Sequence, residues 1–125
     1  MLNRYIARHE WQRYFDAFSR KYCKNGTPEY AEISIARPQT KGTPQAVLWL
    51  PLIGITYEPK EDVLEVAVEG LGRRTFHPEE IWAEVHMDGF VGTFLIRNQD
   101  GTREVITLRR RPALNAYRLR FPKSA

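Results

Sequence analysis

Large apolar residues recur at the spacing of an α-helix in one stretch of this chain, which lies near the N-terminus. The stripe consists of Trp11, Tyr14, Phe15, Phe18 and Tyr22. Polar and charged residues fall on the opposite side, as in an amphipathic surface helix. The pattern predicts a helix over about residues 10–24, which Asn25-Gly26 ends because this pair favours the left-handed conformation. A single helix of this kind has to bury its aromatic stripe against a sheet.

Beyond Pro28 the apolar residues alternate with polar ones, which is the two-residue period of half-buried strands. The predicted strands lie between about residues 29 and 121 and cover residues 30–35, 46–50, 53–58, 63–69, 81–87, 92–97, 102–109 and 117–121, with a stub at 75–77. Turn-forming residues at 59–62 and 98–101 favour hairpins between consecutive strands. The sequence therefore predicts an α+β fold, with one N-terminal amphipathic helix packed on a bent antiparallel sheet or partly open barrel of about seven strands.

The length of 125 residues fits a single domain spanning residues 1–125, since a hydrophobic content of 42% suffices for one core. One cysteine, Cys23, rules out an internal disulfide framework and a zinc site built from several cysteines. Charged residues within Met1–Trp11 are unlike the apolar segment of a signal peptide. The longest apolar run, Ala46–Ile53, is too short to span a bilayer. We therefore expect a soluble cytoplasmic protein that does not bind membranes.

The net charge of +4 is unevenly distributed along the chain. Residues 1–27 carry six basic and two acidic side chains, and residues 97–125 carry eight basic and two acidic ones. The candidate contacts for a polyanion are Arg109, Arg110, Arg111, Arg118 and Arg120. Guanidinium groups suit phosphate, so this segment predicts weak, sequence-independent binding of nucleic acid. The alternative, which we favour, is a charged strand edge that keeps the sheet from pairing with other sheets.

Two motifs of this chain are similar to those of a known family. The helix motif is Glu10-Trp11-Gln12 with Phe15-Asp16 and Phe18-Ser19-Arg20, and the strand motif is Leu50-Pro51-Leu52 with Gly54-Ile55. They resemble the E-W-Q…F-D-x-F-S helix and the L-P-L-x-G-I strand of an uncharacterised family of small bacterial proteins, over roughly residues 4–108. The family usually has a threonine–histidine pair near residues 75–77, where a phenylalanine intervenes in this chain. The resemblance implies one helix plus an antiparallel sheet and transfers no catalytic residue.

Trp82 is a large apolar residue on the polar side of its predicted strand. It is either covered by another element, for which we favour the aromatic helix, or offered to a partner. Glu84 and His86 fall on the same face by alternation, so that Trp82, Glu84 and His86 form the candidate interaction site. With His77 they are also candidates for a metal or acid–base cluster. We favour the simpler interpretation, a solvated or helix-covered sheet face.

Spacings that would assemble an active site are missing from the sequence. It has no G-x-S-x-G elbow, and its histidines lack the spacing that sets two metal ligands side by side. Cys23 lies at the C-terminal end of the predicted helix, where the dipole disfavours a reactive thiolate. Gly70-Leu71-Gly72 before Arg73-Arg74 lacks the Lys-Ser/Thr of a phosphate-binding loop. We therefore predict no catalytic residue, no metal and no cofactor.

The leading functional hypothesis is a small non-catalytic interaction or accessory domain of the bacterial cytoplasm, which binds a protein partner. The alternatives are nucleic-acid binding through the basic C-terminal segment and an enzyme with an unrecognised site. A stoichiometric protein partner in the purified material would favour the first hypothesis, and copurified nucleic acid the second.

Overall fold

The computed structural model of the protein describes residues 2–23, 30–36 and 45–109. Its elements are, in chain order, β1 (Leu2–Ile6), a 3-10 turn (Arg8–Glu10), α1 (Trp11–Cys23), β2 (Tyr30–Ala36), β3 (Gln45–Glu58), β4 (Val63–Val68), β5 (Leu71–Phe76), β6 (Pro78–Val85), β7 (Val91–Asn98) and β8 (Arg103–Arg109). The strands form one antiparallel sheet in the order β1-β6-β7-β8-β2-β3-β4-β5. The predicted α+β class is confirmed.

The edge strand β1 has no counterpart among the predicted strands. Of its five residues only Ile6 is buried, so the segment lacks the alternation that marks a half-buried strand. It pairs with β6 from Leu2 opposite Val85 to Ile6 opposite Ile81. The described part of the chain therefore has eight strands rather than about seven, and the strand predicted at 117–121 lies outside it.

Strand β3 continues through Pro51, where the sequence indicates a break between two strands. The strand changes its partner at this point. Pro51 is the last residue paired with β2 and Leu52 is the first paired with β4. The Pro51 carbonyl oxygen accepts a hydrogen bond of 2.9 Å from the N–H of Glu69, while proline has no N–H that needs a partner. The two predicted strands are therefore one strand that joins the two halves of the sheet.

The other hairpin predictions need one correction. Strand β5 is complete from Leu71 to Phe76, whereas the sequence predicts a stub at 75–77. The chain reverses before it at Gly70, whose φ of +81° suits glycine. The hairpin of β7 and β8 is confirmed, and Gly101 in its turn has a φ of +87°.

Helix α1 packs on the face of the sheet that carries Phe94, which we call the inner face. Trp11, Phe15 and Phe18 are buried, as the aromatic stripe predicts. The ring centroids of Phe15 and Phe18 each lie 5.2 Å from that of Phe94. The indole N–H of Trp11 donates a 2.8 Å hydrogen bond to the carbonyl oxygen of Ile6, which fixes the start of the helix against β1.

The two family motifs meet in the folded protein. Strand β2 begins at Tyr30, opposite Pro51, and beyond this point the hydroxyl of Ser19 from α1 bonds to the backbone of β3. Ser19 Oγ accepts a hydrogen bond from the N–H of Ile55 at 3.0 Å and donates one to its carbonyl oxygen at 2.8 Å. Beside it, a Cβ on Gly54 would stand 3.6 Å from Ser19 Oγ. The helix motif and the strand motif are thus two sides of one contact.

The sheet is strongly bent, so that its edge strand β5 comes back over β8. Arg73 and Thr75 of β5 both contact the carboxylate of Glu104 on β8. Strands β2, β3 and β4 separate the two in the sheet. The bend agrees with the prediction of a bent sheet, and we call the face opposite α1 the outer face.

Candidate functional site

A row of apolar side chains crosses the outer face of four strands. Tyr5 of β1 stands opposite Trp82 of β6, Trp82 opposite Leu95 of β7, and Leu95 opposite Val105 of β8. Except for Arg4, their neighbours along each strand are buried on the inner face, so these four side chains point outward. Leu95 and Val105 are half-buried. We call Tyr5, Trp82, Leu95 and Val105 the outer strip.

Two exposed aromatic rings form one end of the outer strip. Tyr5 is 50% exposed and Trp82 is 37% exposed. Their ring centroids lie 5.1 Å apart, with an edge-to-face angle of 65°. The indole N–H of Trp82 reaches Glu80 Oε1 at 3.4 Å. The expected cover of Trp82 by the aromatic helix is absent, because α1 lies on the inner face.

Charged side chains border the outer strip on both sides, and the balance of positive and negative charge differs between the two sides. On one side Glu80 and Glu79 both hold Arg97, at 3.0 and 3.2 Å, so that two carboxylates and one guanidinium leave one negative charge there. On the other side Glu84 and Glu32 belong to a row that Thr93 and Thr107 complete. No ion pair joins Glu84 or Glu32 to a cation within residues 2–23, 30–36 and 45–109. This border is therefore acidic.

His86 is not part of this surface, although alternation places it there. Strand β6 ends at Val85 after a register shift, and the N–H of His86 donates to the carbonyl oxygen of Phe90 in a turn. The His86 ring stacks on Phe90 at 5.9 Å. A Cβ on Gly92 would meet His86 Nε2 at 2.5 Å, so the ring lies across that glycine. The structure brings Trp82 and Glu84 together and leaves His86 apart, because alternation stops where a strand stops.

Of the five arginines proposed as polyanion contacts, Arg109 is the one within the described residues. Its guanidinium lies 4.4 Å from the centre of the Trp49 ring, which is 4% exposed. This stacking uses one face of the guanidinium plane and leaves its N–H groups at the edge. Arg110, Arg111, Arg118 and Arg120 lie outside the described residues, so their hypothesis stays a prediction.

A polar cluster that the sequence does not indicate surrounds Asp62, in the turn before β4. Asp62 accepts hydrogen bonds from Tyr57 at 2.5 Å, Arg8 at 3.1 Å and His77 at 3.2 Å. Arg8 also donates to the carbonyl oxygen of Pro78 at 2.9 Å. Asp62 and His77 have φ values of +55° and +58°, a conformation that costs energy for residues other than glycine. The cluster ties the segment before α1 to both ends of the β4–β5 hairpin.

The charges in this cluster shift two pKa values in opposite directions. Burial and the hydrogen bond to Asp62 raise the pKa of Tyr57 to about 12. Burial alone would raise the pKa of Asp62, but the hydrogen bonds from Tyr57 and His77 and the charge of Arg8 outweigh it and lower that pKa. An imidazole beside a carboxylate is a common acid–base pair. In this cluster, however, the hydrogen bonds of the carboxylate join separate segments of the chain. We interpret the cluster as structural.

The sequence also gives no indication that the carboxylate of Glu104 is buried. It is fully buried and accepts hydrogen bonds from Arg73 at 3.2 Å, Thr75 at 2.5 Å and Asn98 at 3.4 Å. Arg73, which neutralises it, lies 31 residues away in sequence, so no local pattern predicts the ion pair. In the described part of the chain, no group of three or more His, Cys, Asp or Glu side chains could hold a metal ion. No helix there is long and apolar enough to cross a membrane.

Comparisons with known proteins agree with the uncharacterised bacterial family that the two motifs indicate. The model of a family of unknown function, DUF5335, matches residues 2–117, and so extends beyond the 4–108 that the motifs span. An uncharacterized protein of Aquifex aeolicus (strain VF5) is 31% identical over 115 residues, which covers 91% of this chain and 96% of that protein. No solved structure matches the chain.

Proposed function

Because the chain belongs to DUF5335, a family of unknown function, its role has to be inferred from its own surface, and we propose that it is a small non-catalytic binding module. The outer strip docks a partner protein, with Tyr5 and Trp82 as the anchors. The setting that we propose is the bacterial cytoplasm, in keeping with a chain that has one cysteine and so no internal disulfide.

The observation that carries this proposal is the exposed Tyr5–Trp82 pair. Both rings are exposed and contact each other on the outer face of the sheet, although each is a large side chain that proteins usually bury. Tryptophan and tyrosine dominate the binding energy of protein interfaces because they bury a large area at a low cost in conformational entropy. Leu95 and Val105 extend the strip into the sheet, so a partner would bury a continuous apolar row rather than one side chain.

The charges on the two sides of the outer strip indicate which side chains a partner would present to it. The acidic row with Glu84 and Glu32 lies along one side of the strip, whereas Arg97 on the other side is already neutralised by Glu79 and Glu80. A partner with apolar side chains flanked by lysine or arginine on one side complements both features. The rows run across four strands of a twisted sheet, which suits a folded surface or a helix better than an inserted strand.

The test is an affinity purification from cells that express the protein at native level, compared with two variants. Trp82→Ala should release a stoichiometric partner that wild type retains. Phe76→Ala is the matched control, because Phe76 is 59% exposed on the opposite edge strand and lies outside the outer strip. The partner is then purified, and its affinity for wild type and for both variants is measured directly.

Loss of affinity with Trp82→Ala and unchanged affinity with Phe76→Ala would support the proposal. Glu84→Lys should also weaken binding and reduce its dependence on salt. Equal binding by all variants would overturn it. So would a monomer–dimer equilibrium of the purified protein that Trp82→Ala abolishes, because the outer strip would then be covered by a second copy of the chain.

A further inference from the structure

A groove of about 340 Å³ lies beside α1. Its walls are the exposed side of the helix, the edge strand β1 and the turn between β6 and β7. Arg4 comes from β1, Arg13 and Lys21 come from α1, and Gly89 comes from the turn. The groove lies on the other side of the sheet from the outer strip, since its floor includes Phe18 of the helix. Its volume is in the range of small-molecule sites.

Three cations and one carboxylate face this groove. The cations are Arg4, Arg13 and Lys21, and the carboxylate is Glu10. Within the described ranges, none of the three cations forms an ion pair. The single carboxylate leaves an excess of two positive charges in the groove, and a bound anion would relieve the repulsion between them.

Two tyrosine rings hold two of the cations in place. The guanidinium of Arg4 lies 5.5 Å from the centre of the Tyr14 ring, and Lys21 Nζ lies 5.2 Å from that of Tyr22. The hydroxyl of Tyr22 in turn reaches the carbonyl oxygen of Gly89 at 3.4 Å. Cation–π contacts lower the freedom of long side chains while leaving their N–H groups able to bind. Two of the three positive charges are therefore held beside the aromatic lining of the groove.

The rest of the groove is apolar. Phe18 and Val91 line it together with the faces of Tyr14 and Tyr22. Tyr14 is half-buried, and its hydroxyl, whose pKa is raised by burial, can donate a hydrogen bond. The groove thus offers a cationic part for an anion and an apolar part for the body that carries it.

We propose that this groove binds a small phosphate ester, whose phosphate contacts Arg4, Arg13 and Lys21 and whose aromatic or apolar body lies against Tyr22 and Val91. A phosphate dianion matches an excess of two positive charges in the groove, and arginine binds phosphate oxygens with paired hydrogen bonds. The site is independent of the outer strip, so the module has two different ligands on its two faces.

The test uses phenyl phosphate as the probe and follows the amide signals of Lys21 and Gly89 by NMR during titration. Saturable shifts confined to the groove are expected, and they should weaken as salt is added. Phenol, which has the ring and lacks the phosphate, should leave these signals unchanged. Trp82→Ala should bind the probe as well as wild type does.

Charge-matched variants of one helix decide whether the groove itself is responsible. Arg13→Gln and Lys21→Gln should each weaken binding of phenyl phosphate about tenfold. Arg20→Gln removes the same charge from a residue of α1 that lines a different groove, beside Ser19, and should leave the affinity within about twofold. Equal losses in all three variants would overturn the proposal, because net charge alone would then explain binding. Absence of saturable shifts, or saturation by an oligonucleotide but not by phenyl phosphate, would overturn it too.

Discussion

The carboxylate of Glu104 meets the guanidinium of Arg73 at 3.2 Å across the interior of the bent sheet. Glu104 is fully buried, whereas Arg73 reaches it from an edge strand and stays 30% exposed. The two strands share no backbone hydrogen bond in the sheet order. The pair therefore stabilises the bend of the sheet, because it joins two strands that no backbone hydrogen bonds connect.

Removal of the cation should be costly. Arg73→Met leaves a buried carboxylate without its counter-charge, and we expect the free energy of unfolding to fall by about 3 kcal/mol. Arg74→Met is the control, because Arg74 pairs with Glu65 at 3.7 Å where both side chains are well exposed, and should change stability by less than about 1 kcal/mol. Urea unfolding of the two variants measures the difference. Equal stabilities would show that the Glu104 pair does not hold the bend.

The contact between the two family motifs gives a second prediction. Ser19→Ala leaves the buried N–H and carbonyl oxygen of Ile55 without partners, and should lower the free energy of unfolding by about 1–3 kcal/mol. Gln12→Ala on the exposed side of the same helix should stay within about 0.5 kcal/mol. Thermal or urea unfolding provides the comparison. A loss for Ser19→Ala no larger than that for Gln12→Ala would contradict the assigned role of the hydroxyl.

Tyr57 gives a prediction for alkaline pH. Its pKa is raised from 10.0 to about 12 in the folded protein, so between these values the unfolded chain loses a proton that the folded protein keeps. Ionisation then favours unfolding, and this contribution to stability falls as pH rises from 10.0 towards 12. The stability advantage of wild type over Tyr57→Phe should therefore shrink above pH 10. Urea unfolding at several alkaline pH values tests this, and a constant advantage would speak against it.

Asp62 gives the opposite prediction for acid. The pKa of its carboxyl is lowered from its ordinary value of 3.8, so its contribution to stability is complete above that value. The contribution is lost as pH falls through the folded pKa. Asp62→Asn keeps a residue that tolerates the left-handed backbone, and should be less stable than wild type at neutral pH, by a margin that narrows in acid. Glu61→Gln removes an equal charge from the neighbouring residue as the control. A margin that does not change with pH would refute the assignment.

Patterns along the chain predict the parts of this fold that depend on local periodicity. The aromatic stripe predicts α1 to within one residue at each end, and alternation puts Trp82 on the correct side of β6. Both rest on side chains that repeat within a few residues. Strand β1 is not predicted because it has a single buried residue, Ile6, and one residue cannot show a periodic pattern.

Contacts between distant residues account for the rest. Nothing near Glu104 in sequence indicates that Arg73 will neutralise it, and nothing near Asp62 indicates that His77 will face it. The sequence also does not indicate that Tyr5 contacts Trp82, because β1 and β6 become neighbours only in the folded sheet. The helix groove is of the same kind, since Arg4 reaches it from β1 and Gly89 from a turn.

The pairing of β1 with β6 sets an order of events while the chain is being made. Leu2 and Ile6 leave the ribosome well before their partners Val85 and Ile81, which follow some eighty residues later. Until then the aromatic stripe of α1 lacks Phe94 and the sheet on which it packs. A nascent chain therefore exposes the apolar side of α1 until β6 and β7 have been made, and exposed apolar surface of this kind favours aggregation.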